Sequence, residues 1–214
     1  MTGGLKIYGI PGSRAARCLW MARELGVPHE NVPVHFRKTR ESPDLLRVNP
    51  NARIPAVDDG GFALFESMAI NLYLARKYGA GSAIVPRSLE EEALATQWSF
   101  WAVAELEKQL VTLLVHAGGV RVVDDATLAK ARSDMDRPLG VLERHLSGRP
   151  WVLGSRFTVA DLNVASVLDW TRPAGLDLSA RPNLAGWLAR CLNRPAFEGL
   201  SFEWPADVGA RPPT

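Results

Sequence analysis

Residues 49–70, NPNARIPAVDDGGFALFESMAI, decide how the first part of the chain folds. Two short apolar runs, IPAV at 54–57 and FALF at 62–65, are separated by DDGG at 58–61. Asp and Gly tolerate the positive φ angles of a tight hairpin, so this pattern predicts two antiparallel strands. A helix is predicted directly afterwards, with its apolar residues at helical spacing. They are Ile70, Tyr73, Leu74 and Tyr78.

The segment before this hairpin alternates strands with helices. LKIYGI at 5–10 predicts a buried strand, and an apolar helical pattern begins at Ala15. NVPVHF at 31–36 predicts a second strand in which Pro33 indicates an edge or a bulge, and a short helix is expected over 42–48. Because a helix separates the first two strands, they should pair in parallel through a right-handed crossover.

The hydrophobic period changes after a linker at 81–88. Four segments then carry helical patterning and no convincing strand: 89–116, 125–146, 158–170 and 183–192. The predicted fold class is therefore α/β plus all-α. The first domain is expected over 1–80 and an all-helical second domain over 89–214.

Two local signals refine the second domain. Thr158 with Asp161 three residues later forms a variant capping box before an apolar run, which predicts a helix start. The tail after Trp204 is too rich in Pro and Gly to predict a helix.

Composition excludes several classes of function. The chain has 214 residues, of which 47% are hydrophobic and 22% charged, so it can bury a core. Its net charge is +2, with basic residues interspersed among acids, which argues against nucleic-acid binding. No apolar stretch is long enough for a membrane span, so a cytoplasmic protein is expected. Cys18 and Cys191 match no metal or disulfide pattern.

Three stretches resemble the glutathione S-transferase family, in particular its serine-type bacterial, phi and theta members. They are YGIPGSRAARCLWMARELG at 8–26, NPNARIPAVDDGGFALFESMAINLYLARKYG at 49–79 and FTVADLNVA at 157–165. The middle stretch is the most specific. The resemblance implies a thioredoxin-like first domain that holds glutathione, a helical second domain that shapes a pocket for a hydrophobic electrophile, and a homodimer.

The resemblance also assigns roles within the middle stretch. It implies a cis bond before Pro55, so that the backbone of Ile54 offers a short ladder to glutathione. It implies that Ser67, at a helix N-terminus, receives the γ-glutamyl carboxylate and that Glu66 accepts from the ligand's ammonium. Without the resemblance, Pro55 would be read as a strand-initiating proline, and Glu66-Ser67 as an ordinary helix cap beside an acid.

Basic residues are candidates for the glycyl carboxylate of glutathione, because a carboxylate favours a nearby cation. Arg53 is one candidate, and one of Lys38 or Arg40 is another. Solvation at the surface is the alternative for Lys38 and Arg40.

The resemblance makes Ser13 the catalytic residue. Its hydroxyl would contact the glutathione sulfur and favour the thiolate over the thiol, whose pKa is ordinarily about 8.5. The alternative is a plain N-cap. Thioredoxin-type redox proteins place a cysteine at this turn, whereas this chain has Pro11-Gly12-Ser13-Arg14. Cys18, further along an apolar face, is expected to be a buried small hydrophobe.

These observations predict a glutathione transferase that needs glutathione as co-substrate and no metal. The electrophile pocket is expected beside a helix that bears Trp98, Trp101, Glu105 and Gln109. Two alternatives stay open. One is a glutathione-dependent disulfide reductase or peroxidase, and the other is a non-catalytic interaction module of the same fold.

Overall fold

The computed structural model describes residues 4–202, so the predicted helix-free tail after Trp204 lies outside it. The described residues form two compact units: 4–87 with Arg194–Ser201, and Ser88–Asn193 with Phe202. The domain limits given above stay a prediction. Within the described residues, no helix combines the length and apolar character needed to cross a membrane.

The first unit contains a mixed sheet and three helices. Its strands are β1 Leu5–Tyr8, β2 His29–Val32, β3 Ala56–Asp59 and β4 Phe62–Phe65. Its helices are α1 Ala15–Glu24, α2 Pro43–Val48 and α3 Ser67–Tyr78. The strand order is β2-β1-β3-β4, with β1 parallel to β2 and antiparallel to β3, and β3 antiparallel to β4. The predicted parallel pair and hairpin are confirmed.

The predicted limits of the second strand, 31–36, are wrong. β2 begins at His29 and ends at Val32, whose carbonyl accepts a hydrogen bond from the Gly9 amide at 2.9 Å. The next residue, Pro33, has no backbone N–H with which to continue the ladder. β2 is an edge strand, as the proline indicated.

The hairpin is shifted relative to its predicted limits. β3 begins at Ala56 and includes both aspartates, so that only Gly60 and Gly61 form the turn. Their φ angles are +63° and +99°, a conformation that glycine adopts without steric cost. The Asp58 carboxylate closes the turn by accepting from the Gly61 amide at 2.7 Å.

An apolar cluster lies where α2 covers the sheet. It consists of buried side chains with partly buried Val32 at its edge. Its members are Tyr8, Val34, Leu45, Val48, Ile54 and Ala56. Ile54 is therefore anchored in the core two residues before β3 begins.

Asp59, at the end of β3, holds α3 against the sheet. Its side chain is only 4% exposed and accepts from the Lys77 ammonium at 2.6 Å. The hydroxyls of Tyr73 and Tyr78 donate to the same carboxylate at 2.9 and 2.6 Å. Burial opposes ionisation, but these three donors outweigh it and lower the pKa of Asp59 below its usual range.

The segment Arg194–Ser201 packs on α1 within the first unit. Arg194 makes a two-pronged ion pair with Glu24, with N–O distances of 2.6 and 2.8 Å. The rings of Trp20 and Phe197 pack beside it at 4.6 Å between centroids. A charged contact and an aromatic contact therefore both join this segment to the C-terminal part of α1.

The second unit is helical, as predicted. Its elements are α4 Leu89–Trp101, a π-helical segment Ala102–Glu107, α5 Lys108–Ala117, α6 Asp125–His145, α7 Val159–Leu168, a 3-10 turn Asp169–Thr171 and α8 Pro182–Leu192. The predicted helix over 89–116 is one helical run without a break, but its middle part is π-helical and not α-helical. Among its described residues, strand-like pairing is limited to one isolated bridge between Trp151 and Gly154.

The predicted capping box at the start of α7 is confirmed. The Asp161 carboxylate accepts from the amide and hydroxyl of Thr158 at 2.9 and 3.0 Å. It also accepts from the Val152 amide at 2.7 Å and from the Trp187 indole at 2.9 Å. Asp161 is fully buried, so one carboxylate joins the start of α7 to α8 and to the preceding loop.

Candidate functional site

Ser13 lies in the turn between β1 and α1 and is partly buried. Its hydroxyl donates to the Ile10 carbonyl at 2.7 Å and accepts from the Ala15 amide at 3.1 Å. Ser13 therefore satisfies the amide of the first residue of α1, although Arg14 is the residue that directly precedes the helix. A hydroxyl has one hydrogen, so a ligand sulfur would compete with the Ile10 carbonyl for it.

Gly9 brings this turn next to Ile54. A Cβ atom on Gly9 would lie 2.4 Å from the Cβ of Ala15 and 3.3 Å from that of Ile54. The side chain of Asn31, on β2, stabilises the backbone around Gly9. It donates to the carbonyls of Ile7 and Gly9 at 3.1 and 2.9 Å. Two of the predicted site segments are thus adjacent because glycine permits the close approach.

Asn49 organises the turn that leads to Ile54. Its buried side chain donates to the Arg53 carbonyl at 2.7 Å and accepts from the Asn51 amide at 3.1 Å. Ala52 within this turn has a φ of +53°. The Ile54–Pro55 bond that follows is cis, as the resemblance implied.

Glu66 and Ser67 lie where β4 gives way to α3. Glu66 is exposed and has a φ of +74°, which is uncommon for a residue with a side chain and is typical of functional sites. Ser67 is the first residue of α3, where unpaired amides and the helix dipole favour an anion. The position therefore suits a carboxylate, and the role of Ser67 with the γ-glutamyl carboxylate stays a prediction.

The Ser67 hydroxyl has a partner that the sequence interpretation missed. Arg17, on α1, donates from Nη1 to Ser67 Oγ at 3.3 Å, and Cys18 Sγ lies 3.9 Å from the Ser67 carbonyl oxygen. No local pattern indicated this contact, because Arg17 lies off the helical spacing of Ala15, Cys18 and Leu19 that marks the predicted apolar face. Ser13 and Ser67 are thus both tied to the first turn of α1.

The side chains of Arg40 and Arg53 are exposed, as is that of Lys38. Arg40 lies in a 3-10 turn, Thr39–Glu41, and Arg53 contributes its carbonyl to the Asn49 turn. The contacts described above do not join these three cations to Ser13 or Ser67. Their role with a glycyl carboxylate stays a prediction.

Cys18 is poorly suited to redox chemistry. Its side chain is fully buried, and burial raises the pKa of its thiol well above the usual range, although the Arg17 charge opposes the shift. The reactive form of cysteine is the thiolate, which this environment disfavours. Among residues 4–202, no group of three His, Cys, Asp or Glu side chains is placed to hold a metal.

The residues expected near an electrophile are packed within the second unit. Trp98 is buried and meets the Trp101 ring edge-on at a centroid distance of 4.9 Å. Glu105 is paired with Arg137 at 2.7 Å, and Gln109 donates to Asp134 at 3.4 Å. Glu105 and Gln109 therefore link the α4–α5 run to α6.

Comparison with known proteins agrees with this fold. Residues 3–76 match the glutathione S-transferase N-terminal domain, and residues 125–190 match the C-terminal domain. The chain is 33% identical to glutathione S-transferase 3 of Zea mays, over 91% of both proteins. A theta-class glutathione S-transferase from Xanthomonas axonopodis, solved with glutathione bound, superposes with a TM-score of 0.83 at 28% identity, covering 94% of this chain and 98% of that one.

The architecture is that of a glutathione-transferase-like protein, with a four-stranded mixed sheet followed by a helical unit. The chain belongs to the glutathione S-transferase family. It is also 31% identical to elongation factor 1-gamma of Sus scrofa over 79% of its own length. It spans 38 to 39% of the length of the elongation factors that it matches.

Proposed function

We propose that this chain is a glutathione transferase that joins the thiolate of glutathione to a hydrophobic electrophile. The observation that carries the proposal is that the hydroxyls of Ser13 and Ser67 are both hydrogen-bonded to the first turn of α1. Ser13 precedes α1, and Ser67 begins α3 while it is hydrogen-bonded to Arg17 of α1. Two anions, a thiolate and a carboxylate, would then be stabilised a short distance apart on one ligand.

Each end of glutathione has a proposed partner in the first unit. The γ-glutamyl carboxylate would bind Ser67 and the amides at the start of α3, and Glu66 would accept from the neighbouring ammonium. The Ile54 backbone would pair with the cysteinyl residue. Arg53 or Arg40 would attract the glycyl carboxylate. The glutathione in the Xanthomonas relative supports this class of ligand.

Ser13 would activate the ligand's sulfur and not form a covalent bond itself. Its hydroxyl would turn from the Ile10 carbonyl to the sulfur, since hydroxyl hydrogens rotate to suit their acceptor. The thiolate would then attack an electrophilic carbon, forming the new C–S bond while the leaving group departs with its electron pair. A cytoplasmic homodimer without a metal, nucleic-acid or membrane partner is part of the same proposal.

The likeness to elongation factor 1-gamma favours one second candidate, a non-catalytic interaction module. Such a module needs neither an activated thiolate nor a glutathione site. The presence of both the Ser13 hydroxyl and the Glu66-Ser67 pair in this chain favours the enzyme.

Calorimetry with glutathione and an activity screen test the proposal. The screen should include aryl halides, epoxides, organic hydroperoxides and small disulfides, because the last two distinguish a peroxidase or reductase from a transferase. We expect binding below millimolar glutathione and turnover with at least one carbon electrophile. Absence of binding at millimolar glutathione would reject the enzyme and leave the interaction module.

A further inference from the structure

Arg17 is a permanently charged side chain that is almost completely buried. It lies on α1, where every residue from Ala15 to Ala22 is buried, and it is only 2% exposed. A guanidinium stays protonated in proteins, so this is a buried positive charge. Burying a charge is costly unless it is well placed, so its position calls for a physical reason.

Contacts between α1 and α3 fix where the Arg17 charge points. The Asn71 side chain, one turn into α3, donates to the Arg17 carbonyl at 3.3 Å. Arg17 Nη1 in turn donates to Ser67 Oγ at 3.3 Å. The guanidinium therefore points at Ser67, the first residue of α3. In the proposed complex, Ser67 would lie between the guanidinium and the carboxylate.

The hydrogen bond from Arg17 decides how the Ser67 hydroxyl can act. A hydroxyl has one hydrogen and two acceptor lone pairs. Because an arginine N–H occupies a lone pair of Ser67 Oγ, the hydroxyl hydrogen is left to another acceptor. A donor that is itself charged also polarises the hydroxyl and strengthens the bond that it gives.

We propose that Arg17 is a positioning residue that prepares Ser67 to donate to the α-carboxylate of a γ-glutamyl group. This inference rests on the proposed function, because it assumes that glutathione binds at the start of α3. In this proposal three groups recognise one carboxylate. The α3 amides and the Ser67 hydroxyl donate to it directly, and the Arg17 guanidinium acts through Ser67. The site would then select ligands that carry this carboxylate over ligands that lack it.

The location of the charge gives the proposal a second, distinctive consequence. Salt screens interactions between exposed charges strongly, but it screens buried charges much less. If Arg17 carries the selectivity, the preference for the carboxylate should persist at high ionic strength. If a solvent-exposed cation near the start of α3 carries it instead, the preference should fall as salt is added.

The test combines two ligands with two proteins in calorimetric titrations. The ligands are glutathione and the tripeptide in which 4-aminobutyrate replaces the γ-glutamyl residue, which keeps the amine and lacks only the α-carboxylate. Arg17→Met removes the charge at similar side-chain length. We expect wild type to prefer glutathione by roughly 10- to 100-fold, and Arg17→Met to lose most of that preference by weakening glutathione alone.

Arg23→Met is the matched control, because Arg23 is an exposed arginine on the same helix that donates to the Glu198 carbonyl. It should leave the preference unchanged. If Arg17→Met weakens both ligands equally, Arg17 has only a structural role and the inference is wrong. If wild type binds neither ligand, the proposed function fails and the inference fails with it.

A measurement on wild type decides the question if Arg17→Met does not fold, as judged by circular dichroism. Titrations of both ligands at about 0.05 and about 0.5 M sodium chloride should give preferences within roughly threefold of each other. A preference that disappears at the higher salt concentration would overturn the role of the buried charge, while glutathione binding itself would still support the proposed function.

Discussion

Gly9 and Ala15 approach so closely that a Cβ atom on Gly9 would lie 2.4 Å from the Cβ of Ala15. Gly9 also has a φ of +135°, a region that residues with side chains rarely adopt. Ser13 lies in the turn between these two residues. Ile54 is also close to Gly9, because a Cβ atom on Gly9 would lie 3.3 Å from the Cβ of Ile54. The close contact therefore connects the stability of the sheet to the geometry of the candidate site.

Gly9→Ala should lower the free energy of unfolding by about 1 to 3 kcal/mol, because the added methyl group has no space. It should also weaken glutathione binding, since the turn that holds Ser13 must move. Urea unfolding and calorimetry measure the two effects. Gly26→Ala is the matched control, because Gly26 has a φ of +63° but no atom near a Cβ. Equal losses in the two variants would show that backbone conformation, and not crowding, restricts Gly9.

Local patterns predicted most of the fold correctly. The hairpin, the helix start at Ser67 and the capping box at Thr158 are encoded by residues within a few positions of one another, so the sequence displays them directly. The strand limit at Val32 was missed because apolar Val34 and Phe36 continue the alternation, although Pro33 ends the hydrogen bonding. The π segment Ala102–Glu107 was missed because the apolar spacing hardly changes across it.

Contacts between distant residues account for what the sequence did not predict at the site. Arg17 and Ser67 are 50 positions apart and meet only because α1 and α3 pack together. Gly9 borders Ile54 because of the strand pairing, which no short window of sequence contains. The family resemblance predicted the site residues Ser13, Ile54 and Ser67. Only the structure identified Arg17 and Gly9 as the residues that position them.

Asp59→Asn should destabilise the first unit by about 1 to 3 kcal/mol at neutral pH, because a buried ionised acceptor of three hydrogen-bond donors is lost. The asparagine still fills the space, so the loss reports the charge and the hydrogen bonds. Chemical denaturation at neutral pH measures it. Asp44→Asn, in a solvent-exposed pair with Arg47, should change stability little.

The same carboxylate predicts how stability depends on pH. The pKa of Asp59 is lowered in the folded protein, so its ionised form stabilises the fold at every pH above the unfolded value of about 3.9. That contribution is lost as the pH falls from there through the folded pKa. The difference in unfolding free energy between wild type and Asp59→Asn should therefore shrink in acid. A constant difference over this window would contradict the role of the charge.

Asp161→Ala should be the most destabilising of these changes, by about 3 kcal/mol or more, because it leaves several buried donors without an acceptor. Thermal and urea unfolding of the second unit measure the loss. Asp124→Ala is the control, because Asp124 caps α6 at the surface by accepting from Thr127. Similar losses in the two variants would mean that capping alone, and not the burial of the Asp161 network, matters.

Ser67→Ala should weaken glutathione binding by roughly 1 to 3 kcal/mol, because a charged ligand group loses a hydrogen-bond donor. Calorimetry measures this change. Ser88→Ala provides a comparison, since Ser88 caps α4 by accepting from the Glu91 amide and is not a predicted site residue. Unchanged affinity in Ser67→Ala would remove its hydroxyl from the site and leave only the amides of α3 as carboxylate ligands.

Ser13→Ala separates thiolate activation from helix capping, because Ser13 already accepts from the Ala15 amide. If the hydroxyl stabilises the thiolate, the pKa of bound glutathione should rise towards its free value, by about 2, which corresponds to roughly 2.7 kcal/mol. Turnover at neutral pH should fall and recover at high pH, with glutathione affinity nearly intact. The ultraviolet absorbance of the bound thiolate, titrated against pH, measures the shift. Capping alone predicts a stability loss of about 0.5 to 2 kcal/mol with coincident titration curves, and that outcome would exclude Ser13 from the chemistry.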